Sequence, residues 1–191
     1  MAKPHLAVIV GSNRRESINQ KLAVALANLA KNKFEVSFVR IDDLPMYNQD
    51  LEATPPAEFL RFKNDLARAD GILIVTPEHN RSIPAVLKNA VDWGARPWGQ
   101  NSWAGKPVMV TGTSPGAIGT ALGQQHLRNV LGSILGALVL GGEAYVSFKP
   151  GLVDEQNRIG DESTLKFLQG FLDQFASLVG RLLAQPERSA A

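Results

Sequence analysis

The residues whose types and spacing suit chemistry fall in three stretches. The richest is Gly11-Ser12-Asn13-Arg14-Arg15-Glu16-Ser17, with Asn19 just beyond. It follows a short apolar run, Leu6 to Val10, that reads as a buried strand, and a helical pattern opens near Ile18. A strand, a tight Gly/Ser turn and a helix N-terminus together make an anion site. The first helical N–H groups have no partner inside the helix, and the helix dipole adds partial positive charge. Ser12, Ser17 and Asn19 supply hydroxyl and amide donors, while Arg14 and Arg15 supply full charge. The stretch reads as a phosphate cradle; its plainer reading is an ordinary turn between a strand and a helix.

What the loop lacks narrows the ligand. No Gly-Lys-Ser/Thr ending makes it a Walker loop, and no G-x-G-x-x-G makes it the usual dinucleotide turn. Serine and backbone donors suit a terminal phosphomonoester such as that of FMN. The second stretch, Thr76-Pro77-Glu78-His79-Asn80-Arg81-Ser82-Ile83-Pro84, follows the unbroken apolar run Gly71–Val75. The third, Gly112-Thr113-Ser114-Pro115-Gly116-Ala117-Ile118-Gly119, follows the strand-like run Lys106–Thr111. Both lie where open α/β sheets bind ligands, past the carboxyl ends of strands. Asp42 and Asp43 are candidate metal ligands, but Asp favours turns and caps, and that reading is preferred, so no metal site is expected. Trp93, Trp98 and Trp103 could flank a ring; core or subunit packing is the preferred reading.

Elements that alternate along the chain must position these loops. Leu22, Ala25, Leu26 and Leu29 recur at helical spacing from Ile18 to about Lys31. Phe34–Arg40 alternates as a half-buried edge strand does. Pro55-Pro56 opens a helix that runs to about Arg68, with Phe59, Phe62 and Leu66 on one face. Pro84 can serve as the first residue of a helix continuing through Ala85–Trp93. A helix over about Thr120–Leu135 carries Leu122, His126, Val130 and Ile134. Val139-Leu140 leads through Gly141-Gly142 to a last strand around Ala144–Phe148, and Asp161–Leu183 is a long amphipathic helix capped by Asp161, Ser163 and Thr164. Five strands alternating with helices predict a doubly wound parallel α/β sheet with helices on both faces. In the order 2-1-3-4-5 the three loops, at residues 11–19, 76–83 and 112–119, converge on one crevice.

Composition agrees with one globular domain over residues 1–185, followed by a polar tail, 186–191, expected to fray. Of the 191 residues 45% are apolar, enough for a sizeable core, and the formal net charge of +2 argues against a nucleic-acid face. With no cysteine there is no disulfide, thiolate nucleophile or cysteine-based metal site. The chain opens directly on a strand, and Val130–Gly142 is too short to span a membrane, so a cytoplasmic protein is expected.

Together the three loops resemble those of the NADPH-dependent FMN reductase family. Gly11 to Ser17 fits its G-S-x-R-x-x-S loop. Pro77-Glu78-His79-Asn80 with Ser82-Ile83-Pro84 resembles its P-E-Y-N-x-S-x-P loop, and Gly112-Thr113-Ser114-Pro115-Gly116 looks like its third flavin loop. The resemblance covers nearly the whole chain and is closest to the bacterial chromate and quinone reductases and related azoreductases. It implies a flavodoxin-like fold. It also implies that Ser12, Arg14, Ser17 and Asn19 hold the FMN phosphate, and that Pro77, Glu78, His79 and Asn80 line the ring. Ser82 would support that loop, with Thr113, Ser114 and Gly116 closing the other side. His79 stands where the family has Tyr, and a His can still stack and hydrogen-bond.

The function so implied is hydride transfer from NADPH or NADH to FMN and onward, by a ping-pong mechanism, to quinones, free flavin, azo compounds or chromate. Flavin N5 carries the chemistry, so no residue is nominated as catalytic. Arg81, or another arginine near the ring loop, is a candidate for reading the 2′-phosphate of NADPH, and a homodimer or homotetramer is implied. Two rivals stand beside this reading: a flavodoxin-like electron carrier and a non-enzymatic nucleotide-binding module. A carrier of the first kind is usually strongly acidic, which this chain is not.

Overall fold

The computed structural model describes residues 2–184; the expected tail, 186–191, lies outside them. The chain runs β1 (His5–Val10), α1 (Ile18–Ala30), β2 (Glu35–Val39), α2 (Ala57–Arg68), β3 (Gly71–Val75), α3 (Ala85–Gly94), β4 (Pro107–Ser114), α4 (Ala121–Asn129), β5 (Leu138–Val139), β6 (Tyr145–Ser147) and α5 (Glu162–Leu183). The sheet is parallel, in the order β2-β1-β3-β4-β5, with β6 also pairing β4. Alternation along the central strands feeds two cores. Leu6, Val8, Leu73 and Met109 face α1 and α5, where they meet Leu22, Leu26, Phe171 and Phe175. Ala7, Ile9, Ile72, Ile74 and Val110 face the other way, onto Phe62, Leu66, Leu87, Trp93 and Leu127. Burial on both faces explains why β1 and β3 read as continuous apolar runs.

The fifth strand position departs from the five-stranded expectation, because two short segments, β5 and β6, fill it. Between them Gly141 and Gly142, the latter at φ +88, turn the chain out of the ladder. Side chains close the gap. Arg128 donates to Leu140 O at 2.7 Å and to Val110 O at 3.2 Å, and Thr111 Oγ1 donates to Ala144 O at 2.8 Å. These bonds give buried sheet carbonyls the partners that the broken strand withholds. Pairing with β6 also extends β4 to Ser114, so the first residues of the third loop are strand.

Helix α4 differs as well. Its buried residues are Gly123, Gln124 and Leu127, with Leu131 one turn on, while Leu122 is 44% exposed and Ile134 75% exposed. The stripe is offset by one residue from the first turn onward, and the last turn, Val130–Ile134, is a π-helix. Pro84 is the cap of α3 rather than its first residue. Trp93 and Trp103 are fully buried and donate to Pro45 O (2.7 Å) and Val91 O (3.0 Å), so both are core residues, whereas Trp98 is 90% exposed. Asp42 and Asp43 lie in a turn and pair with Arg40, and Asp43 also pairs with Arg61 at 2.8 Å. Among the described residues no group of three or more His, Asp or Glu could hold a metal, and no helix is long and apolar enough to cross a membrane.

Candidate active site

Two glycines bring the three loops together. The strands β1, β3 and β4 end side by side, and Thr76 lies between the first and third loops. Its N–H donates to Thr111 O at 2.9 Å, and the N–H of Gly11 donates to Val75 O at 2.8 Å. A Cβ on Gly112 would lie 1.9 Å from the Thr76 carbonyl oxygen, and one on Gly11 would lie 2.5 Å from Thr76 Oγ1. Only glycine permits these approaches, so both glycines of the motifs act here through space rather than through φ.

Below this junction opens a cavity of about 440 Å³. All three loops line it: Ser12, Arg14, Ser17 and Asn19 from the first, Pro77, Glu78 and His79 from the second, and Thr113, Ser114 and Pro115 from the third. Asn80, Ser82 and Gly116 stand outside this lining. Asn80 and Arg81 form the tip of a tight turn, at φ 49 and 63, closed by paired backbone bonds between His79 and Ser82 of 2.9 and 3.1 Å. Gly116 is exposed on the third loop. Phe148, just past β6, joins the lining and was not singled out from sequence. An aromatic directly after the last strand, at the carboxyl edge, is the signal that could have found it.

The first loop is built for an anion. Ser17 caps α1 by accepting from the Gln20 N–H at 3.2 Å. Ile18 and Asn19, ahead of Gln20 in the first turn, have no carbonyl one turn back to receive their N–H groups. The hydroxyls of Ser12 and Ser17 accept backbone N–H groups and keep their own protons for donation. Arg14 bends back to donate to Glu16 O at 2.6 Å, which shapes the loop. Asn19 is a strut. It is 1% exposed, and its amide donates to Thr113 O and accepts from Thr113 N–H, both at 2.9 Å. It thereby ties the first loop to the third, with both ends of its side chain engaged.

Helix α4 clamps the second loop. The Glu78 side chain, 7% exposed, accepts the Gly123 N–H at 2.9 Å and pairs with Arg81 at 3.0 Å. Its carboxylate thus caps the first turn of α4, where negative charge is favourable. Ser82 Oγ bonds His126 Nδ1 at 2.8 Å. Gly123 allows the contact, since a Cβ there would press on Ser82 O at 3.1 Å. Glu78 and Ser82 therefore fasten the loop. The third loop is closed by Ser114 Oγ donating to Gly119 O.

The donor set fits a flavin mononucleotide: hydroxyls, helix N–H groups and an arginine come from the first loop, and the second and third loops complete the lining. Known proteins agree. A family model described as NADPH-dependent FMN reductase matches residues 4–151. A 2-hydroxy-1,4-benzoquinone reductase from a Burkholderia species is 49% identical, over 91% of this chain and 95% of its own length. A quinone reductase of Pseudomonas putida is 46% identical, over 91% of this chain and 94% of its own. Among solved structures, the flavoenzyme NAD(P)H:(acceptor) oxidoreductase FerB of Paracoccus denitrificans superposes with a TM-score of 0.89 at 45% identity, covering 93% of this chain and 98% of that one. With its fold, its three loops and a match over most of its length, the chain belongs to the NADPH-dependent FMN reductase family, an oxidoreductase family that works with FMN and NAD(P)H.

Proposed function

We propose that this protein is a quinone reductase that transfers electrons from NAD(P)H through bound FMN. The observation that carries the reading is the convergence of three loops on one cavity, a slot whose first loop suits an anion. The names of the relatives point to the same acceptor class. Ser12, Arg14 and Ser17 hold the phosphate, with Asn19 holding that end of the cavity to the third loop. Pro77, Glu78, His79 and Phe148 bound the ring, backed by Thr113 and Ser114; Asn80, Ser82 and Gly116 shape the loops around it. FMN bound here supplies hydride acceptance and onward electron transfer. The protein supplies position, and backbone N–H groups of the third loop would face the end of the ring that gains negative charge.

Donor and acceptor occupy the slot in turn, which makes the kinetics ping-pong, and free flavin, azo compounds and chromate are secondary acceptors of the same slot. The reading sets the enzyme in the cytoplasm, where reduced nicotinamides are made. It also pairs copies of the chain through the surface around Trp98. There Asn101 bonds Leu135 O at 2.8 Å and so brings this loop beside the exposed Ile134. Initial rates with NADPH and 1,4-benzoquinone, each varied against the other, should give parallel double-reciprocal lines. Intersecting lines would contradict the shared slot.

A further inference from the structure

A second cavity, of about 350 Å³, lies across the phosphate loop from the first. The two share Ser12, Asn13 and Arg14, so the loop is the wall between them. The second is lined by Arg14, Arg15 and Arg40 against a single carboxylate, Asp42, and by Phe38. Phe38 lies beside Val8 in the register and is 47% exposed, a large aromatic face left open on a strand. Arg15 is exposed on the loop. Arg40 meets Asp42 at 2.8 Å and Asp43 at 3.6 Å, both through Nε, which leaves its two terminal nitrogens as a fork. Such a fork matches a phosphate.

We infer that this cavity is the subsite for the adenosine 2′-phosphate of NADPH. Phe38 stacks the adenine, Asp42 takes a ribose hydroxyl, and Arg15 and Arg40 hold the 2′-phosphate. The cavity stands at the carboxyl end of β2, directly beside the phosphate loop. The shared wall matters too. A ligand with its nicotinamide in the flavin slot reaches this cavity by crossing one loop, and the dinucleotide has its pyrophosphate between those two ends. Arg81 pairs with Glu78 in the second loop and does not line this cavity.

The inference rests on the reductase reading, and one experiment separates them. The FMN-loaded protein is titrated calorimetrically with 2′,5′-ADP, 5′-AMP and inorganic phosphate. The expected result is 2′,5′-ADP binding at least about tenfold tighter than 5′-AMP, with inorganic phosphate far weaker than either. Arg15→Ala and Arg40→Gln should each erase most of that margin and lower the ratio of kcat/KM for NADPH over NADH to a similar degree. Phe38→Ala should weaken both nucleotides alike. Equal affinity for the two nucleotides, a margin that survives both arginine variants, or inorganic phosphate competing as well as 2′,5′-ADP overturns the subsite. Failure to retain FMN overturns the reductase reading instead.

Discussion

The motif glycines and Asn19 act through contacts that their positions in the chain do not announce. The sequence marks Gly11 and Gly112 as turn residues, yet both have ordinary backbone angles, and what they permit is the approach of Thr76. Gly112→Ala should therefore be severely destabilising, by more than about 3 kcal/mol, because the clash is with backbone that cannot rotate away. Gly116→Ala should cost little, since the nearest atom to an added Cβ is Ser114 Oγ at 3.6 Å. Chemical denaturation of the two variants side by side checks the contrast. Asn19→Ala leaves a buried N–H and a buried carbonyl of Thr113 unpaired. A loss of roughly 2 kcal/mol is expected, together with weaker FMN retention; unchanged stability would remove Asn19 from its role as strut. The resemblance made Asn19 one of four residues holding the phosphate. Its hydrogen-bond partner lies 94 residues away in the chain, and no local pattern reports such a bond.

Among the elements, α4 and α5 show what spacing conveys and what it leaves out. The cap of α5 was legible, as Asp161 with Ser163 and Thr164 is a local signature. Hydrogen bonds from Thr164 and Ser163 hold the Asp161 carboxyl at about 2, below its ordinary 3.8. Because the folded value is depressed, this contribution is complete above the ordinary value and fades as pH falls through about 2. Asp161→Asn keeps a capping side chain without the titration. The stability difference between wild type and this variant should accordingly shrink from pH 4 toward pH 2, as thermal unfolding at each pH would report. In α4 the spacing pointed to Leu122 and Ile134, whereas the buried face is Gly123, Gln124, Leu127 and Leu131. The helix packs its first turn on the second loop, and that contact selects glycine over an apolar side chain. Glu78→Ala should uncap α4 at a cost of about 1–2 kcal/mol and raise the dissociation constant for FMN. Wild-type affinity in a folded Glu78→Ala protein would show that the clamp does not position the slot. The break between β5 and β6 was legible only as Gly141-Gly142 ahead of the last strand; its bridging by Arg128 was not, because the partners Leu140 and Val110 lie 12 and 18 residues away.

At the scale of the molecule, the sheet order was legible because β1 and β3 are unbroken apolar runs and each is followed by a loop rich in polar residues. The order β2-β1-β3-β4 brings those loops into contact, and the chemistry follows from that adjacency. The ligand should in turn stabilise the sheet edge it bridges: saturating FMN at a hundredfold excess over its dissociation constant should add about 2.7 kcal/mol to the unfolding free energy. The most direct test of the central claim is anaerobic. The protein is loaded with FMN, freed of excess flavin by desalting, and its absorption is followed after mixing with NADPH or NADH, and then with a quinone. The account predicts retained flavin that bleaches on mixing with the donor and recovers its colour when the quinone is added. Flavin that is retained but stays oxidised would make the protein an electron carrier, and flavin lost on desalting would contradict the three-loop site itself.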